Sequence, residues 1–254
     1  MIPPVAVIAD AHFHDPGCDY GGAGMVWQGQ RRVWRPWADA AGGPRAVNEA
    51  RAVLEAVLDD IAMRGIRHVV LLGDYVDDGQ AEATARLAQL LQGRRGMAFY
   101  ALPGNHDVFA AHGKHVAGRF ATSPRAAQLV TSDPVLAGQE AGAVLTPAMR
   151  CAGQPAGLRP MEAFGYFRQP QYLHWESPFG ASDRAEDRIY PARSPDGGTV
   201  HPLMDASYLV EPAAGLWLLM IDANAFVPNP GPYAIHQKRA FTDPSDAGWN
   251  VLPA

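Results

Sequence analysis

With 254 residues, 48% of them hydrophobic, the chain is long enough to bury a sizeable core as one large domain or a domain with a subdomain. A net charge of −5 with 19% charged residues leaves no basic patch able to grip nucleic acid, so none is expected as a stable partner. Two distant cysteines, Cys18 and Cys151, exclude a disulfide framework and a zinc–thiolate site; with no signal pattern and no membrane-spanning stretch, the expectation is a soluble, cytoplasmic protein.

Val5–Asp10 (VAVIAD) is a short run rich in β-branched residues and predicts a buried strand. An irregular stretch punctuated by glycine and proline follows. Within it, Met25–Trp37 (MVWQGQRRVWRPW) mixes Trp27, Trp34 and Trp37 with Arg31, Arg32 and Arg35. It reads as a loop anchored by its own tryptophans; the rival is a flap that stacks on a base and meets phosphate. From Arg45 to Arg64 apolar residues recur at helical spacing and Gly65 caps the end, while Arg45, Asn48 and Glu49 at its start either face the strand ends or are ordinary solvated helix residues. A second strand is expected at Arg67–Leu72, a second helix at Gln80–Gln92 and a third strand at Met97–Leu102. This alternation implies right-handed crossovers and a mainly parallel, helix-covered sheet with its ligands at the carboxyl ends of the strands.

From Val108 the pattern dissolves, apart from a short helix expected near Pro124–Val130. A span of that length is too long for one structureless loop, so 108–205 is read as an inserted cap or lid within a single domain covering 1–254. Order returns at SYLVEPAAGLWLLMIDAN, a predicted hairpin turning at EPAAG, with Asp222 and Asn224 as turn residues.

The three early strands all end in metal-friendly groups. The first gives Asp10 and His12, the second Asp74 with Asp77 and Asp78, the third Asn105, His106 and Asp107. Each set alone is an ordinary turn after a strand. All three in order, each after an apolar run, point to a shared site where divalent charge relieves the crowding of carboxylates. Oxygen and imidazole donors without thiolate suit manganese, iron or zinc better than calcium.

DAH, GDYVDDG and GNHD resemble the first three signature blocks (D-x-H, GDxxDxG and GNH[DE]) of the calcineurin-like metallophosphoesterase superfamily. The resemblance implies an αββα two-sheet sandwich and two divalent metal ions. By similarity, Asp10 and His12 hold one metal, Asp74 bridges both and Asn105 holds the second. His106 then protonates the leaving group after attack by a metal-activated hydroxide, and Asp77 or Asp107 orients its imidazole. Asp78 is expected to be a solvated turn residue. His112 and His115 are either phosphate contacts from the cap or solvated loop residues.

The family completes its site with a further histidine and a GHxH block downstream. His174, His201 and His236 do not match it and are not expected to be ligands. The chain therefore reads as lacking the C-terminal part of the fold, either a portion of a longer protein or a natural truncation, with a weak first metal site and a loosely held second. The leading function is hydrolysis of a small phosphomonoester or phosphodiester. A Ser/Thr protein phosphatase-like enzyme, and an inactive metal-binding or interaction protein, are the alternatives.

Overall fold

The computed structural model describes residues 2–42, 46–224, 226–228 and 249–251. Arg45 and His236 lie outside them. In chain order the elements are β1 (Val5–Ala9), β2 (Met25–Trp27), β3 (Gln30–Arg32), α1 (Trp37–Ala41), α2 (Ala50–Met63), β4 (His68–Leu72), α3 (Ala81–Gly93) and β5 (Ala98–Leu102). They continue with β6 (Ala117–Ser123), β7 (Ala126–Thr131), α4 (Pro134–Gly138), β8 (Val144–Leu145), β9 (His174–Glu176), β10 (Ile189–Arg193) and β11 (Val200–Met204). The last four are β12 (Tyr208–Ala213), β13 (Leu216–Met220), β14 (Phe226–Pro228) and β15 (Trp249–Val251).

The organising unit is the parallel sheet β1-β4-β5. Its register puts Ala9, Leu72 and Leu102 in one row, so the residues that follow them emerge together at one rim. Helix α2 connects β1 to β4 and buries Ala50, Leu54, Leu58 and Ile61, a stripe at helical spacing. It ends as its sequence predicts: Ile66 N–H bonds Ile61 O, Gly65 N–H bonds Ala62 O, and Gly65 takes φ 71°. Helix α3 buries Ala83, Leu87, Ala88 and Leu91. Both connections step across the sheet in the same direction, and the right-handed rule for parallel crossovers puts both helices on one face.

Strands β4 and β5 are buried on both faces, but β1 is not: Val7 and Ala9 are exposed and the rest half-buried. The buried strand expected at Val5–Asp10 is thus an edge strand, with β4 on one side and no described strand on the other. A second sheet, β13-β12-β9, turns Tyr208, Val210, Leu218 and Met220 toward the shared core and Trp217 and Leu219 outward. Helix layer, sheet and sheet are three layers of the α/β sandwich of the metallophosphoesterase type.

One of the expectations for the later chain is corrected and another is met. The helix near Pro124–Val130 is a hairpin, β6 paired with β7 around Pro124-Arg125, because Ser-Pro starts a turn and the β-branched Val130 and Thr131 suit the strand after it. The β12–β13 hairpin turns at Ala214-Gly215, within EPAAG as expected, with Pro212 inside a register shift where a missing N–H does no harm. Much of the 108–205 span packs into the main body. Leu158, Met161, Phe164, Tyr166 and Trp175 belong to the main core, β9 pairs with β12, and Ala101 N–H of β5 bonds Phe164 O at 2.7 Å. Arg188, fully buried, donates to the carbonyl oxygens of Tyr166, Asp205 and Ser207 and so ties this span to the second sheet.

Candidate metal centre and its flanking acid

Beyond the Ala9–Leu72–Leu102 row the three loops stay zipped together. His12 N–H bonds Asp74 O at 2.9 Å, Phe13 N–H bonds Tyr75 O at 2.9 Å, and Gly73 N–H bonds Leu102 O at 3.0 Å. One ligand atom from each of Asp10, His12 and Asp74 comes within 4.8 Å of the others, the one such trio of His, Cys, Asp or Glu groups among the described residues. All three have left-handed backbone, φ 52°, 41° and 39°. A non-glycine residue rarely adopts that region without something to hold it there, and such residues concentrate at functional sites.

Asp74 is fixed from both sides: its Oδ1 accepts His106 N–H at 3.0 Å, while Oδ2 lies 3.9 Å from His12 Nε2. Gly104 makes this possible, since a Cβ there would fall 2.0 Å from Asp74 Oδ1. Asp107, fully buried, accepts the backbone N–H groups of Tyr75, Val76 and Gly104 and so clamps the loop after β4 to the loop after β5. Burial pushes its carboxyl up to about 8 against the pull of those donors. Asp107 makes no contact that would orient His106; it builds the loop that carries it.

His106 stands edge-on to His12 with ring centres 5.2 Å apart. Its Nδ1 faces two oxygens, the Asp77 carbonyl at 2.7 Å and Asp78 Oδ1 at 3.2 Å. The carboxylate expected to orient it, that of Asp77, instead pairs with Arg35 at 2.9 Å, so Asp77 reaches His106 through its main chain alone. Nor is Asp78 a solvated turn residue. Burial works to raise its carboxyl, yet the bond from His106 and the charges of Lys114 and Arg35 hold it below its usual range. The bond to Asp78, in turn, raises His106 above 6.5 in spite of partial burial.

Asn105 sits half-buried on the turn before His106. Asn224 and Asp222 do more than make a turn: Asn224 Nδ2 donates to Pro103 O at 2.6 Å and to Asp222 Oδ1 at 3.0 Å, fastening the end of β13 to the loop with Asn105 and His106. The other candidates stand elsewhere. His115 bonds Ser132, the His112 ring meets that of His201 at 5.5 Å, and His174 lies against Glu176 and Trp217. In the Met25–Trp37 segment Trp27 and Trp37 are exposed, and the anchor is half-buried Trp34, buried Val33 and the Arg35–Asp77 pair. Asn48 serves that anchor, bonding both the N–H and the carbonyl of Arg35, and Glu49 is exposed at the start of α2.

A cavity of about 490 Å³ opens beside Asp10 and His12, walled by Ile8, Ala46, Ala50, Val53, Leu54 and Val57. It lies on the β1 side of the centre, away from the β5 side from which His106 enters.

The family model for calcineurin-like phosphoesterases matches residues 3–183, which contain all three loops of this centre, and the chain belongs to that family. Metal-dependent hydrolysis of phosphoesters is the general chemistry of the family. A search of curated proteins returns no match to the chain.

Proposed function

We propose that this chain hydrolyses a small phosphomonoester or phosphodiester, with Asp10, His12 and Asp74 holding one divalent cation, Asp74 and Asn105 a second, and His106 acting as the acid for the leaving group. The observation that carries the reading is the convergence of Asp10, His12 and Asp74 within 4.8 Å on strained backbone. The donors fit: two carboxylates and an imidazole without thiolate suit manganese, iron or zinc. Cations held there supply an activated water and positive charge for the phosphate oxygens.

The chain's own residues do the rest. Asp74 is tied to the backbone of His106, so the ligand and the acid move as one unit. With the Nδ1 hydrogen directed to the oxygens of Asp77 and Asp78, the doubly protonated ring gives its Nε2 proton to the departing alcohol and is left neutral with hydrogen on Nδ1. The organic group of the ester therefore belongs on the β5 side, beside His106. Both cysteines are free and buried, in keeping with a reducing, cytoplasmic setting.

The test is hydrolysis of nitrophenyl mono- and diesters by chelated protein before and after manganese is restored. His106→Asn should lose roughly 10²-fold or more on an alkyl phosphate ester, which needs the acid, and far less on the activated nitrophenyl ester. Wild-type protein with no metal-dependent turnover of either ester would sink the proposal in favour of an inactive metal-binding protein.

A further inference from the structure

We infer that Asp78, rather than Asp77, is the carboxylate that positions the His106 imidazole, and that Arg35 enforces this division by holding the Asp77 carboxylate away. The inference rests on the reading of His106 as the leaving-group acid.

Arg35 is held at several points. Asn48 takes its backbone N–H at 2.8 Å and its carbonyl at 3.1 Å. Its guanidinium lies 5.0 Å from the centre of the Phe120 ring, and Gly118 leaves room for it, since a Cβ there would come 2.6 Å from Nη1. The pair with Asp77 is 2.9 Å long and both side chains are 14% exposed, which separates it from the weak ion pairs of open surfaces. Breaking such a pair leaves a charge uncompensated in a poorly solvated place, so Asp77 is not available to the imidazole. Asp78, one residue on, is less enclosed and has Oδ1 at 3.2 Å from His106 Nδ1. With the Asp77 carbonyl at 2.7 Å, Nδ1 faces acceptors alone and must carry hydrogen. That fixes the neutral ring as the Nδ1–H tautomer, so the second proton, the one the acid gives up, sits on Nε2. Asp78 is thus a positioning residue, and Arg35 selects it.

Two readouts on the full chain test this: the nitrogen-15 NMR pattern of the His106 ring, which reports the tautomer without any substrate, and the ratio of kcat/KM for an alkyl phosphate to that for a nitrophenyl phosphate. D78A should mix the tautomers and lower the ratio roughly tenfold or more, part of the 10²–10⁴-fold that a positioned acid contributes. D78N, which keeps an acceptor oxygen, should lose less than D78A, and D77N should change the ratio less than D78A does. Adding R35Q to D78A frees Asp77 and should restore part of the ratio. Thermal melts of each variant separate these effects from misfolding. If D77N disturbs the tautomer and the ratio while D78A leaves both intact, the assignment is wrong; if R35Q restores nothing, Arg35 does not select. Wild-type protein without esterase activity would overturn the phosphoesterase reading, whereas the NMR pattern would still decide between Asp77 and Asp78.

Discussion

Three residues carry the proposed metal centre, and they differ in how firmly the fold holds them. Asp74 is bound through Oδ1 and follows the central strand of its sheet, whereas Asp10, exposed, follows the edge strand β1. Asp74→Asn should therefore abolish most of the rise in melting temperature that manganese gives to chelated protein, because binding to the folded state alone stabilises it. Asp78→Asn should keep that rise. Equal responses in a thermal-shift titration would remove Asp74 from its central role. Another single residue should shape the dependence of stability on pH. His14 is buried against Phe120, with Nε2 at 3.0 Å from Val33 O, and burial lowers its pKa below 6.5. The unfolded chain then takes up the proton first. The contribution of His14 is complete above 6.5 and is lost as pH falls through the lower folded value. Urea midpoints measured from about pH 7.5 down to about pH 5 should fall more steeply for wild type than for His14→Phe; parallel curves would contradict this.

At the scale of elements, the tie between the two sheets matters most. Asn224→Ala removes the bond to Pro103 O, costing about 1 kcal/mol. It should also reduce the stabilisation by manganese, since the loop bearing Asn105 and His106 loosens; an unchanged metal response would show that the tie serves stability alone. The strand–helix–strand–helix–strand unit was readable because its central strands are apolar on both faces and its helices end at glycine. The strands within 108–205 were not. They are short, and Pro191 and Pro202 sit in β10 and β11, where proline usually argues against a strand. It is tolerated because these two residues face each other in a two-stranded ribbon, with no ladder N–H required of either. The three ligand-bearing blocks could be read locally because each follows its own strand. Arg35, Asp78 and Asn224 could not, since their partners lie 42, 28 and 121 residues away in sequence. Nothing local distinguishes such side chains from solvated turn residues.

At the scale of the whole molecule, the flank beside β1 is open among the described residues. Val7 on β1 is 61% exposed, and Val53 and Val57 of α2 are exposed beside the same cavity. An uncharged edge strand next to an apolar wall favours strand pairing between copies. Light scattering should therefore detect self-association that grows with concentration and is weakened by Val7→Lys; a monomer at all concentrations would refute it. That flank lies opposite the side where His106 acts, so the substitution should spare the metal response. The proposed activity depends on three strand ends assembling a cation site, which one measurement reaches directly. Crystals soaked in manganese and measured for its anomalous scattering should show density within coordination distance of Asp10, His12 and Asp74. Density at another cluster, or none at this one while manganese is bound elsewhere, would contradict it.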